Sequence, residues 1–180
     1  MPQVIALLRG INVGKAKRIA MADLRDLLAD LGYTEPRTLL NSGNAVFGCT
    51  AAQARSAPQR IERGVAEHLG VKCAVMTRTA DELVRIIEQN PIAEGPAEPS
   101  RYLVGFLSEA LPAARVAELE QADYGEDQLR LRDDTAYLWC AAGVLSSPLS
   151  KLAWSKLGVD VTTRNWTTVL KLAELATKHG

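Results

Sequence analysis

The run Val4-Ile5-Ala6-Leu7-Leu8 constrains the fold of this chain more than any other stretch. A short, uninterrupted aliphatic run reads as a strand buried on both faces rather than one with a wet side, so a layer of structure is needed on each side of it. Helices are expected to cover one face, and the second half of the chain or a second protomer the other.

The residues that follow supply such helices. Met21, Leu24, Leu27, Leu28 and Leu31 recur at three- and four-residue steps with Asp23, Arg25, Asp26 and Asp30 opposite, and Gly32 is placed as the stop. Arg37 to Leu40 and Ala45 to Phe47 flank the turn formers Asn41-Ser42-Gly43-Asn44, which predicts a hairpin. A second helix is expected from about Pro58, a good first-turn residue, through Ile61, Val65 and Leu69 to Gly70, with residues 50–57 either beginning it or forming a loop. Val71, Cys73 and Val75 alternate, so a strand is expected over Val71 to Thr77. The order βαββαβ is that of the ferredoxin-like plait, with the first and third strands central and both helices on one face. In that topology the end of the first strand at Arg9 and the Ser42-Gly43-Asn44 turn lie side by side at one sheet edge.

Thr79-Ala80-Asp81-Glu82 is a capping box opening a helix with Leu83, Ile86 and Ile87, which ends at Asn90-Pro91. Pro91 to Ser100, with three prolines and a glycine, is the expected linker. A strand over Tyr102 to Leu107 follows, then a helix from Pro112 and a hairpin turning at Asp133-Asp134. Ser147-Pro148 is expected to cap a helix with Leu149, Leu152 and Leu157, stopped by Gly158; Asn165 or Thr163 is placed to cap a last helix over Thr167 to Lys178, with Val169, Leu170 and Ala173 inward. The expected fold class is therefore α+β, a ferredoxin-like βαββαβ plait followed by a partial βαββαα subdomain. The expected division is a first half over 1–78, a connecting helix and linker over 79–100, and a second half with C-terminal helices over 101–180.

Candidate chemistry concentrates after the first strand. Arg9-Gly10-Ile11-Asn12-Val13-Gly14-Lys15-Ala16-Lys17-Arg18 carries four cations and no acid. Its glycines let backbone N–H groups approach a ligand, and the cations favour a phosphate or carboxylate. Gly10 to Lys15 is one residue too short for a nucleotide-triphosphatase loop, and Ala16 stands where that motif needs a hydroxyl. A plain strand-to-helix connection with solvated cations competes with the anion site. A second candidate is Arg164-Asn165, a cation at an expected helix start. Its competing reading is a cap, a solvated or salt-bridged arginine and a core Trp166.

Composition removes other classes. Lys plus Arg and Asp plus Glu are 21 each, so no global positive field recruits nucleic acid and any such binding rests on a local patch. Cys49, Cys73 and Cys140 form no C-x-x-C pair, and their odd number argues against a disulfide framework and for a reducing cytoplasm. His68 and His179 have no partner at metal-ligand spacing, so no metal and no cofactor are expected. No apolar run is long enough to span a bilayer, and no membrane partner is expected.

Leu7-Leu8-Arg9-Gly10-Ile11-Asn12-Val13-Gly14, Met21-Ala22-Asp23-Leu24-Arg25, Asn41-Ser42-Gly43-Asn44-Ala45-Val46-Phe47 and Thr162-Thr163-Arg164-Asn165-Trp166-Thr167-Thr168-Val169 together resemble the bacterial domain-of-unknown-function family 1697. The resemblance spans nearly the whole chain and implies a ferredoxin-like part plus a second α+β part; it implies no activity. Lys15 stands where members usually carry a second glycine, and Leu40 where they more often show an Ile-Gln or similar pair.

Three functions compete. The first is binding of a phosphorylated or other anionic metabolite, nucleotides included, in a basic cleft between the halves, with Arg9, Gly10, Asn12, Gly14, Lys15, Ser42, Gly43, Asn44, Arg164 and Asn165 as the ligand-binding set. The second is a nucleic-acid-binding module using phosphate contacts, since Val4 to Leu8 has no aromatic to stack a base. The third is a structural or interaction protein. No catalytic residue is assigned and the enzyme question stays open, because acid-base chemistry would have to use Lys15, a tyrosine or the ligand itself. A homo-oligomer is compatible with the sequence.

Overall fold

The structure is a computed structural model that describes residues 1–178; His179 lies outside them. The described residues form two compact units, one of residues 1–84 with the chain from Lys171 onward and the other of residues 85–170.

In the first unit, β1 (Gln3–Leu8), α1 (Met21–Asp30), β2 (Thr34–Leu39), β3 (Asn44–Gly48), α2 (Ala51–Leu69) and β4 (Val75–Thr79) form the expected plait, with strands ordered β2-β3-β1-β4. Every pairing is antiparallel, and β1 lies between β3 and β4. Val4, Ala6 and Leu8 share one core with Leu24, Leu27 and Leu28 of α1, Ala57, Ile61 and Val65 of α2, and Phe47 of β3. Ile5 and Leu7 point to the opposite face and are also fully buried, as the aliphatic run predicts. Gly32, at φ +87°, ends α1 and lets Tyr33 N–H donate to the Leu28 carbonyl at 3.1 Å.

Helix α2 begins seven residues before Pro58. Thr50 Oγ1 accepts from Gln53 N–H at 3.2 Å and Gln53 Oε1 from Thr50 N–H at 2.8 Å, a complete capping box that leaves Pro58 inside the helix. The strand expected over Val71 to Thr77 runs instead over Val75–Thr79, so Thr79 both ends β4 and caps α3 (Ala80–Glu88), accepting from Glu82 N–H at 3.2 Å.

The Pro91 to Ser100 segment is packed rather than loose. Ile92 and Gly95 are buried, Tyr102 Oη donates to Asn90 Oδ1, and a Cβ on Gly95 would stand 2.0 Å from the Tyr102 ring. It belongs to the second unit, so the division falls inside α3 and not at the expected linker; the close of α5 (Trp166–Thr177) belongs with the first unit.

In the second unit, β5 (Tyr102–Leu107), α4 (Ala113–Gln121), β6 (Gln128–Arg132) and β7 (Thr135–Trp139) follow the expected order. Residues 161–165, expected as the approach to a helix, form β8 (Val161–Asn165), which pairs with β5. Val161, Thr162 and Thr163 are β-branched and suit an extended backbone beside β5. The helix expected after Ser147 is replaced by short 3-10 turns at Pro148–Lys151 and Trp154–Leu157; Ser147 Oγ caps the first of them, and Ala153, at φ −88° and ψ 72°, breaks the run. Leu149, Trp154 and Val159 nonetheless pack with Leu129, Leu131 and Leu138, filling the place a second helix holds in a plait. In α5, Val169, Leu172 and Ala176 are buried, whereas Leu170 faces out, contrary to expectation.

The second sheet, ordered β6-β7-β5-β8, repeats the first. Ile5 pairs with Val46 and Arg78 just as Val104 pairs with Tyr137 and Arg164. The strands Val75-Met76-Thr77-Arg78-Thr79 and Val161-Thr162-Thr163-Arg164-Asn165 occupy equivalent places, and each runs directly into a helix capped by its last residue.

Candidate functional site

Backbone bonds tie the end of β1 to the hairpin turn and the start of its loop to the approach to β4. Leu8 N–H donates to the Gly43 carbonyl at 2.8 Å and Arg9 N–H to the Ala74 carbonyl at 2.9 Å. Gly43, at φ +92°, allows this approach: a Cβ there would stand 2.8 Å from Leu8 Cβ and 2.9 Å from Ile11 Cδ1. Asn44 is fully buried and donates to the Leu39 carbonyl at 2.7 Å and to Ser42 Oγ at 2.9 Å, which shapes the turn.

Asn12 closes the loop into a ring. Its Oδ1 accepts from Ile19 N–H at 2.8 Å, and its Nδ2 donates to the Ile19 carbonyl at 2.9 Å and to the Asn41 carbonyl at 2.7 Å. Asn12 N–H donates to the Lys17 carbonyl at 2.9 Å. Buried Ile11 and Ile19 anchor the two ends, while every residue from Val13 to Arg18 is exposed. Gly10, Asn12, Gly14 and Lys17 adopt left-handed backbones, at φ 70°, 54°, 62° and 53°. Lys15, Lys17 and Arg18 therefore stand exposed on a short, pinned loop with no acid in it.

Of the candidate residues, Arg9, Gly10, Asn12, Gly14, Lys15, Ser42, Gly43 and Asn44 fall on this one edge of the first unit. Asn12 and Asn44 use their amides to build it. Lys17 and Arg18 belong with Lys15 on the ring, and the acid-free run that contains them was the sequence feature that marks them. Arg164 and Asn165 lie in the second unit. Arg164 is half-buried on β8, donates through Nη1 to the Thr163 carbonyl at 2.8 Å, and burial lowers its pKa to about 10, so it stays charged at neutral pH. Asn165 Oδ1 accepts from Thr168 N–H at 2.9 Å and caps α5, one of the two caps expected. Arg78, which the sequence reading did not single out, repeats the Arg164 geometry, donating to the Thr77 carbonyl at 2.8 Å.

Burial holds the three thiols and two of the tyrosines in their protonated forms. The thiols of Cys49, Cys73 and Cys140 are pushed up by desolvation, away from the thiolate that nucleophilic work needs. Buried Tyr137 is pushed up to about 12, and Tyr102 higher still. A recess of about 310 Å³ beside α1 and the end of α2 is lined by Asp23, Asp26, Asp30 and His68, the wrong charge for an anion. Among the described residues no three His, Cys, Asp or Glu side chains are placed to hold a metal ion, and no helix is long and apolar enough to cross a membrane.

Residues 1–137 match the family described as "Protein of unknown function (DUF1697)". The chain belongs to that family. The DUF1697 match takes in the basic ring, the Ser42 to Asn44 turn and the sheet up to β7, and stops before β8. The fold is similar to that of a conserved bacterial protein from Streptococcus pneumoniae, with a TM-score of 0.77 and 22% identity over 98% of this chain and 99% of the other. No curated protein matches the sequence.

Proposed function

We propose that this DUF1697 protein binds a phosphorylated or other anionic ligand on the ring that follows β1, through Lys15, Lys17 and Arg18, with Arg9 and the N–H groups around Gly10 beside them. The observation that supports this is the pinning of the ring. Asn12, Ile11 and Ile19 hold the backbone without using any of the three cationic side chains, so the charge is presented in a preset arrangement. A pinned backbone favours the contact because less loop entropy is lost on binding.

The competing structural reading draws on Asn12 and Asn44, whose amides are engaged within the protein. It accounts for those two residues and leaves the cations without a role. Titration calorimetry with pyrophosphate and ATP, on wild type and on Lys15→Ala/Lys17→Ala/Arg18→Ala, separates the readings. A charge-assisted hydrogen bond contributes roughly 1.5–3 kcal/mol, so loss of binding by about tenfold or more is expected with unfolding stability within about 0.5 kcal/mol of wild type. Equal affinity in the variant overturns the proposal, and a large loss of stability supports the structural reading.

A further inference from the structure

We infer that the anion is the sugar–phosphate backbone of a single-stranded nucleic acid, held without regard to base sequence; this rests on the anion-binding reading above. The first support is exposure. Lys15, Lys17 and Arg18 all stand exposed on an open ring, where one small anion meets only the cations within its own reach. A chain of phosphates differs, because every phosphate neutralised releases condensed counterions and the contacts accumulate.

The second support is the charge distribution. With 21 cations against 21 acids the chain has no net attraction for a polyanion, yet residues 9–18 carry four of the cations and none of the acids. The edge is thus a local patch of the kind that contacts a backbone. The third support is what flanks the cations. Val13 on the ring is 70% exposed, and Leu40, next to the Asn41 whose carbonyl accepts from Asn12, is 55% exposed at φ 60°. Apolar surface interleaved with cations suits a polymer whose phosphates alternate with sugars and bases, and inorganic polyphosphate offers no such surface.

Indifference to sequence follows from contact through phosphates, which carry no base information, with no ring placed to engage the bases. Stacking a base needs an exposed ring. β1 and β4 carry no aromatic and Phe47 of β3 is buried in the first core; on the second sheet Tyr102, Phe106 and Tyr137 are fully buried. No aromatic residue stands between positions 9 and 18 either.

The test is fluorescence anisotropy with a labelled single-stranded RNA of about 20 nucleotides in two unrelated sequences, competed by pyrophosphate, ATP and anionic phospholipid vesicles. Three phosphate contacts predict a slope of log K against log salt of about −2 for a single strand. The two sequences should bind within about threefold of each other. Lys15→Ala/Lys17→Ala/Arg18→Ala should weaken RNA at least tenfold and flatten the slope, and Val13→Ser/Leu40→Ser should weaken RNA several-fold while leaving pyrophosphate unchanged. RNA bound no better than pyrophosphate, with both lost in the triple variant, overturns the polymer inference and leaves the anion reading standing. RNA bound equally by the triple variant, or no anion bound at all, overturns both at this loop. Vesicles bound in place of RNA overturn the inference in favour of a lipid surface.

Discussion

Asn12 is the residue on which the ring depends. Its side chain makes three hydrogen bonds and its backbone sits at φ 54°, a conformation that asparagine tolerates better than most residues. Asn12→Ala removes the bonds and leaves a Cβ in the left-handed region, so it should destabilise the protein by about 2–3 kcal/mol; Asn12→Gly should cost about 1 kcal/mol less. Urea unfolding of both variants measures this, and two changes under about 0.5 kcal/mol would show that the backbone holds the ring alone. Tyr137 makes a second prediction at this scale. It is fully buried, donates to the Ile86 carbonyl at 2.6 Å, and is pushed up to about 12 from its ordinary 10, mainly by desolvation. Above pH 10 the unfolded chain loses this proton while the folded chain keeps it, so the stability present below pH 10 is lost as pH rises toward about 12. The loss is of the order of 2–3 kcal/mol, and Tyr137→Phe should be less stable at neutral pH but lose less on going from about pH 9 to 11.

Among the elements, α2 shows most clearly how a local cue can mislead. Pro58 has the fixed backbone that a first helical turn favours, but the Thr50–Gln53 capping box starts the helix earlier and leaves the Ala54 carbonyl without the intrahelical donor that residue 58 would supply. Pro58→Ala should therefore raise stability by about 1–2 kcal/mol, the restored helical bond being partly offset by a less restricted unfolded chain. Calorimetric melting checks the sign; a lower melting temperature would mean that the ring of Pro58 contributes packing that outweighs the missing bond. The segment after Ser147 is the opposite case. Leucines at helical spacing predict a helix, and the same leucines reach the core from 3-10 turns because Ala153 leaves the helical region.

For the molecule as a whole, the two units share a topology and a strand register but differ at matching edges. Leu8 and Arg9 bond to Gly43 and Ala74; Leu107 and Ser108 bond in the same way to Asp134 and Asp160. The first edge carries the basic ring, while Glu109, Asp133, Asp134 and Asp160 cluster around the second. A chain of zero net charge at pH 7 is thus locally polar in charge. At about pH 8 it should still be retained on a phosphate-bearing cation exchanger at low salt, and Lys15→Ala/Lys17→Ala/Arg18→Ala should pass through. Equal retention of the two would place the attraction elsewhere.

Local patterns were sufficient for β1, α1, both hairpins and the Thr79 capping box, because each rests on neighbours in the chain: an aliphatic run, a 3.6-residue period, turn formers, a hydroxyl three residues before a carboxylate. The meeting of the Arg9 loop with the Ser42 to Asn44 turn was legible too, since strand order alone brings them to one edge. Tertiary structure decided the rest. Val161–Asn165 is a strand because β5 presents an open edge to its β-branched residues, and Pro91 to Ser100 is ordered because Gly95 lets the backbone lie against Tyr102. Asn12 braces the loop because its amide finds the Asn41 carbonyl 29 positions away, a separation no local pattern encodes, whereas Asn44 shapes its turn through the nearby Leu39 carbonyl and Ser42 hydroxyl.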